Sequence, residues 1–99
     1  MNQKALSLIG LAYRARAIVT GEEVVLRSIR SRKAHLVIVS DDASANTKKK
    51  FADKSEYYNV PIIIGSSRGE LGQAIGKDER VVLGVEDSGF AKKLKSLLE

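Results

Sequence analysis

The run Thr20-Gly21-Glu22-Glu23-Val24-Val25-Leu26-Arg27 sets a glycine at the mouth of a helix and an arginine two turns into it. A helix N-terminus presents unpaired backbone N–H groups and a partial positive charge, which suits a phosphate or a polar base edge. The same residues have a purely structural use. Thr20-x-x-Glu23 is a capping box, in which the threonine side chain bonds the N3 amide and the glutamate reaches back. Glu23 and Arg27 also stand i, i+4 in the favourable orientation. Residue chemistry leaves both uses open.

Other motifs carry less. Gly72 to Lys77 approximates a phosphate loop, but it is one residue short between the glycines, and Asp78 stands where Ser or Thr should bind magnesium. The dinucleotide fingerprint G-x-G-x-x-G does not occur. Gly69-Glu70-Leu71-Gly72 matches the G-x-x-G clamp of KH domains by letter, yet its acidic and apolar interior reads as a helix start. Asp41-Asp42 precedes a helix, where adjacent acids act as turn formers and caps. His35 is the single histidine and has no acidic neighbour in sequence, so no catalytic triad can be built on it. With no cysteine and no convincing carboxylate pair, the chain reads as non-catalytic, with no metal, cofactor or small-molecule substrate.

Charge points to a partner. Net charge is +5, and residues 1–54 hold 11 Lys and Arg against 5 Asp and Glu, while residues 55–99 hold 6 against 7. A basic half on a small domain favours an anionic macromolecule, RNA above all. Lys48-Lys49-Lys50 sits early in a helix, an unfavourable place for cations that a nearby anion would offset. Phe51, Tyr57 and Tyr58 share that helix and are assigned to packing, so no aromatic ladder for single-stranded bases is expected. No apolar run approaches the about 20 residues of a membrane span, and no signal peptide opens the chain. Absence of cysteine is compatible with a reducing cytoplasm.

These residues need elements to hold them. The 99 residues suffice for one domain, taken as 1–99. Leu6, Ile9 and Tyr13 mark one face of a helix over 3–14, with Asn2 as its cap. Ala17–Val19 is a short strand, and Thr20 caps a helix to about Ser31. Leu36–Val39, Ile62–Ile64 and Val81–Val85 are apolar runs typical of strands buried on both faces. Asp41–Ser44 turns into a helix ending near Tyr58, and Gly69–Ile75 forms a short one. Ser88 caps the last helix, with Phe90, Leu94 and Leu97 inward. The alternation predicts a three-layer α/β/α sandwich around a mixed, mostly buried four-stranded sheet. The last three strands are expected to pair in parallel, with the first antiparallel at an edge.

Three runs together resemble a known family: Gly-Leu-Ala-Tyr-Arg-Ala-Arg (10–16), Thr-Gly-Glu-Glu (20–23) and Lys-Ala-His-Leu-Val-Ile-Val-Ser-Asp-Asp-Ala-Ser-Ala-Asn-Thr-Lys-Lys-Lys (33–50). Leu71-Gly72, Gly76-Lys77 and Asp87-x-Gly89-Phe90-Ala91 extend the match over essentially the whole chain. The chain looks like a bacterial YlxQ-type protein of the kink-turn-binding ribosomal protein family, the L-seven-Ae and L-thirty-e type. The resemblance implies an α/β/α sandwich that binds kink-turn RNA, with the second helix's N-terminus in the widened groove at the kink. It implies a ribosomal or ribosome-associated role, ribosomal RNA and an mRNA element both being open as targets. Carried over, the motif's glycine falls on Gly21, its reading positions on Glu23 and Val24, and its basic residue on Arg27. Family members have Asn or Lys at the first reading position and often Glu at the second, so this chain departs at both. The resemblance also assigns a second RNA-contacting loop to Val85-Glu86-Asp87-Ser88. The expected RNA site is therefore Gly21, Glu22, Glu23, Arg27 and the 85–88 loop, with Lys48, Lys49 and Lys50 adding salt-dependent affinity. The alternative is a protein-interaction module on the same scaffold with weakened RNA readout.

Overall fold

Asn2 opens the first helix by accepting the Ala5 N–H at 2.8 Å. The computed structural model describes residues 1–98. In chain order they form α1 (Gln3–Arg14), β1 (Ile18–Thr20), α2 (Glu22–Arg30), β2 (Leu36–Val39), α3 (Ala45–Tyr57), β3 (Ile62–Ile64), α4 (Arg68–Ala74), β4 (Val82–Val85) and α5 (Ser88–Leu98).

Side-chain alternation along the strands divides the interior into two cores. Ile18, Leu36, Ile38, Leu83 and Val85 face α1, α4 and α5, where Ile9, Leu71 and Leu94 are fully buried. Val37, Val39 and Val82 face α2 and α3, where they meet Val25, Ile29 and Phe51. Phe51 is completely buried, which is worth about 1.5–3 kcal/mol. The expected three-layer α/β/α sandwich is the observed fold, with two helices on one face and three on the other. Leu6, Tyr13, Phe90 and Leu97 pack only partly buried at the core's margin.

The sheet order is β1-β4-β2-β3. β2 and β3 are parallel, as expected. β1 is the antiparallel edge strand, as expected, and pairs with β4. β4 itself corrects the expectation of parallel pairing: it runs antiparallel to β2. A parallel return needs a connection that travels the length of the sheet. α4 has only seven residues, and the Arg80 N–H donates to the Arg68 carbonyl at 3.0 Å. The chain thus comes back to the sheet end it left. β3 is likewise not the buried strand its three isoleucines suggest. It is an edge, and Ile64 is 44% exposed. Tyr57 is not a packing residue either: its side chain stands in solvent at the end of α3.

The strand order gives the sheet two distinct ends. At one, Gly21 follows β1, Ser40 follows β2, Gly65 follows β3 and the 76–81 loop leads into β4. At the other lie the connections entering β1, β2 and β3 and the 86–87 loop that leaves β4. α2 spans the interval, its nine residues covering about 13 Å.

Candidate nucleic-acid interface at the mouth of α2

Gly21 is the N-cap of α2, with φ 96° and ψ 139°. That backbone region is essentially restricted to glycine. Nothing lies within 4 Å of where a Cβ would sit, so conformation, not crowding, requires the glycine. The space in front of the helix mouth is open.

No side chain caps this helix. The expected Thr20–Glu23 capping box does not form. Thr20 Oγ1 instead donates to the Val82 carbonyl at 3.0 Å, because β1 places the threonine beside the start of β4. The other four helices are all closed by a side chain: Asn2 for α1, Ser44 for α3, Ser67 for α4 and Asp87 for α5. Ser67 and Glu70 form a complete capping box. In α5 the cap is Asp87, whose Oδ1 accepts the Phe90 N–H at 2.8 Å, one residue before the expected Ser88. Among the described residues, α2 alone presents its first-turn amides unanswered by a side chain.

The charges around the mouth are arranged as follows. Glu22 is half-buried and held by Lys50 from α3, with Nζ 2.9 Å from Oε1. Glu23 and Arg27 are exposed, and no ion pair joins them or engages either with another described residue. Of the three lysines, only Lys50 reaches the mouth. Lys49 pairs with Asp53 at 2.8 Å on its own helix, and Lys48 stands 4.0 Å from Asp41.

The 85–88 loop is not part of this site. β1 and β4 are antiparallel, with Thr20 opposite Leu83 and Ile18 opposite Val85, so the loop leaves the far end of the sheet. Val85 is fully buried and offers no surface to an extruded base. Glu86 accepts the Ser28 hydroxyl at 2.6 Å, well along α2 from Gly21. Asp87 and Ser88 are exposed, Asp87 as the cap of α5 and Ser88 as its first residue.

The loop that does face Gly21 is the one before β4, which sequence reasoning missed. Thr20, Gly21 and Glu22 share a cleft of about 330 Å³ with Arg68, Glu79, Arg80, Val81 and Val82. Gly72 shapes that loop: a Cβ there would overlap the Asp78 carbonyl, so the segment lies directly on α4. Arg68 is anchored by Asp42, with Nε 3.3 Å from Oδ1, and the Arg80 guanidinium bonds the Glu79 carbonyl at 2.8 Å. Strand order alone could have revealed this neighbour, and hydrophobic periodicity does not encode strand order.

Residues 3–95 match the Ribosomal protein L7Ae/L30e/S12e/Gadd45 family. The chain belongs to that family.

Within it, the chain is 55% identical over 97 residues to the RNA-binding protein YlxQ of Enterococcus faecium, covering 98% of this chain and 93% of the relative. It is 53% identical over 92 residues to the protein of the same name in Bacillus subtilis (strain 168), covering 93% and 92%. A solved Bacillus halodurans protein of unknown function superposes with a TM-score of 0.96 at 49% identity, covering 98% of each chain. The family fold thus comes with an open, glycine-capped α2 in this member, flanked by Glu23 and Arg27.

Proposed function

We infer that the protein binds structured RNA at the mouth of α2 and prefers a kinked duplex over a straight one. The observation that carries this reading is the uncapped α2 terminus. Gly21 holds a glycine-only conformation with open space before it, while side chains close the other four helices. Free amides and the positive helix end receive phosphate or base-edge acceptors without reorganisation. Arg27 stands two turns in, unengaged, as a guanidinium for phosphate or a guanine edge. The two similar proteins called RNA-binding support the partner class. The family's ribosomal members support a target in or near the ribosome, in the cytoplasm, and a binding role without catalysis.

Calorimetric titration against a kink-turn duplex and an unkinked duplex of the same composition tests this. Tighter binding to the kinked RNA is expected, and equal affinity removes the specific reading. Arg27→Ala should cost about 1–3 kcal/mol of binding if the guanidinium makes a bidentate contact. A partner retained after nuclease treatment, in a protein with no RNA affinity, would instead support the protein-interaction reading.

A further inference from the structure

We propose that the end of the sheet remote from Gly21 is a second RNA-contacting surface, which grips the phosphate backbone of a flanking segment of the same RNA. The proposal rests on RNA being the partner, not on the mouth of α2 being the reader.

The helices α1, α2 and α3 all end at this side of the sheet, and each ends the same way. A left-handed residue follows the C-cap: Arg16 (φ 62°), Arg32 (φ 62°) and Asn59 (φ 61°). After α1 the Arg16 and Ala17 N–H groups donate to the Tyr13 and Ala12 carbonyls, and after α2 the Arg32 and Lys33 N–H groups donate to those of Ile29 and Ser28. Glycine or asparagine is the usual occupant of this position, and α4 uses Gly76 (φ 70°). A long side chain there pays a steric cost that the turn itself does not require. The turn therefore does not explain the two arginines.

Their surroundings do. Arg14, Arg16, Arg30, Arg32 and Lys33 are all exposed, and among the described residues no carboxylate pairs with them. A helix C-terminus favours a cation in its last turn, which accounts for Arg14 and Arg30 but not for the three beyond. The acids at the end of β4, Glu86 and Asp87, accept from the Ser28 hydroxyl and the Phe90 amide; they keep their charge but are two against the five exposed cations. By contrast, the cleft at Gly21 is lined by two arginines and two glutamates. The excess positive charge of the first half of the chain thus gathers at the remote end.

An aromatic feature favours RNA over an acidic protein. The Arg32 guanidinium lies 5.5 Å from the centre of the Tyr58 ring, and Tyr57 meets Tyr58 edge-on at 4.9 Å. Tyr57 is 80% exposed, an open ring beside the cations on which an unpaired base can stack.

The test is the double variant Arg16→Gly/Arg32→Gly. Glycine suits both backbone positions, so the melting temperature should hold or rise. Affinity is measured across a salt series for a minimal kink-turn RNA and for the same RNA with its flanking helices lengthened. The wild type should bind the longer RNA more tightly. The variant should lose that advantage, and its log–log salt slope on the longer RNA should fall by about two, near 0.9 for each phosphate contact removed. Wild-type affinity and slope in the variant overturn the proposal, as does failure of the wild type to bind either RNA. If the wild type does not distinguish kinked from straight duplex but the variant still weakens binding, the reading at Gly21 fails and this surface stands.

Discussion

The Ser28 hydroxyl donates to Glu86 Oε2 at 2.6 Å, fastening the middle of α2 to the loop that leaves β4. Ser28 is 4% exposed and Glu86 half-buried, so this bond joins two elements 58 residues apart in a partly dry setting. A bond to a charged group in such a place is stronger than an ordinary surface contact. Ser28→Ala strips the carboxylate of its donor and should destabilise the fold by about 1–3 kcal/mol in chemical denaturation. An unchanged midpoint would show that water replaces the hydroxyl without loss.

Gly21→Ala should also destabilise, by about 1–3 kcal/mol, through backbone conformation alone. The site has room for the methyl group, so no packing defect accompanies the strain. Thermal melts of the free protein read the loss. A neutral substitution would mean the loop before α2 relaxes to negative φ without consequence.

Glu23→Asn should cost no more than about 1 kcal/mol, the loss of an exposed carboxylate from the positive end of α2, because Glu23 neither caps the helix nor pairs with Arg27. It should tighten kink-turn binding by removing a carboxylate that repels phosphate at the mouth. Weaker binding in this variant would instead assign Glu23 a contact, accepting from a base amino group.

Glu70 gives a pH signature. The Ser66 hydroxyl at 2.7 Å and the Ser67 amide at 3.2 Å hold its carboxyl below the ordinary glutamate range. Because the folded-state pKa is depressed, the stabilisation is present above the unfolded-state value and is lost as pH falls through the folded one. Stability at acid pH should therefore fall less steeply in Glu70→Gln than in the wild type. Melting temperatures of the two proteins from pH 6 down to pH 2 check this, parallel curves being the contrary result.

Much of the fold was readable from residue pattern. Leu36–Val39 announced a central strand, Asn2 and Ser44 announced helix starts, and the alternation of elements gave the layers. What pattern could not supply was direction and neighbourhood. The apolar run Val82–Val85 looks the same whether the strand runs up or down, and only the shortness of α4 and the return of Arg80 to Arg68 decide it. That one fact moved the 85–88 loop away from Gly21 and brought the 76–81 loop beside it. Thr20 misled for a related reason: a hydroxyl three residues before a glutamate suggests a box, but across β1 the Val82 carbonyl was nearer. That Gly21 opens a helix which carries Arg27 was legible because both positions belong to one helix, which sequence spacing does encode.

β4 lies between β1 and β2, hydrogen-bonded on both sides, with the 76–81 loop at its start and Glu86 at its finish. Its four residues make a strut of about 13 Å that cannot stretch without breaking two ladders. Any ligand that touches both ends must bring its own two contact points to that separation. An RNA gripped both at the mouth of α2 and at the remote end, as proposed, would be selected by that gauge, as by a caliper.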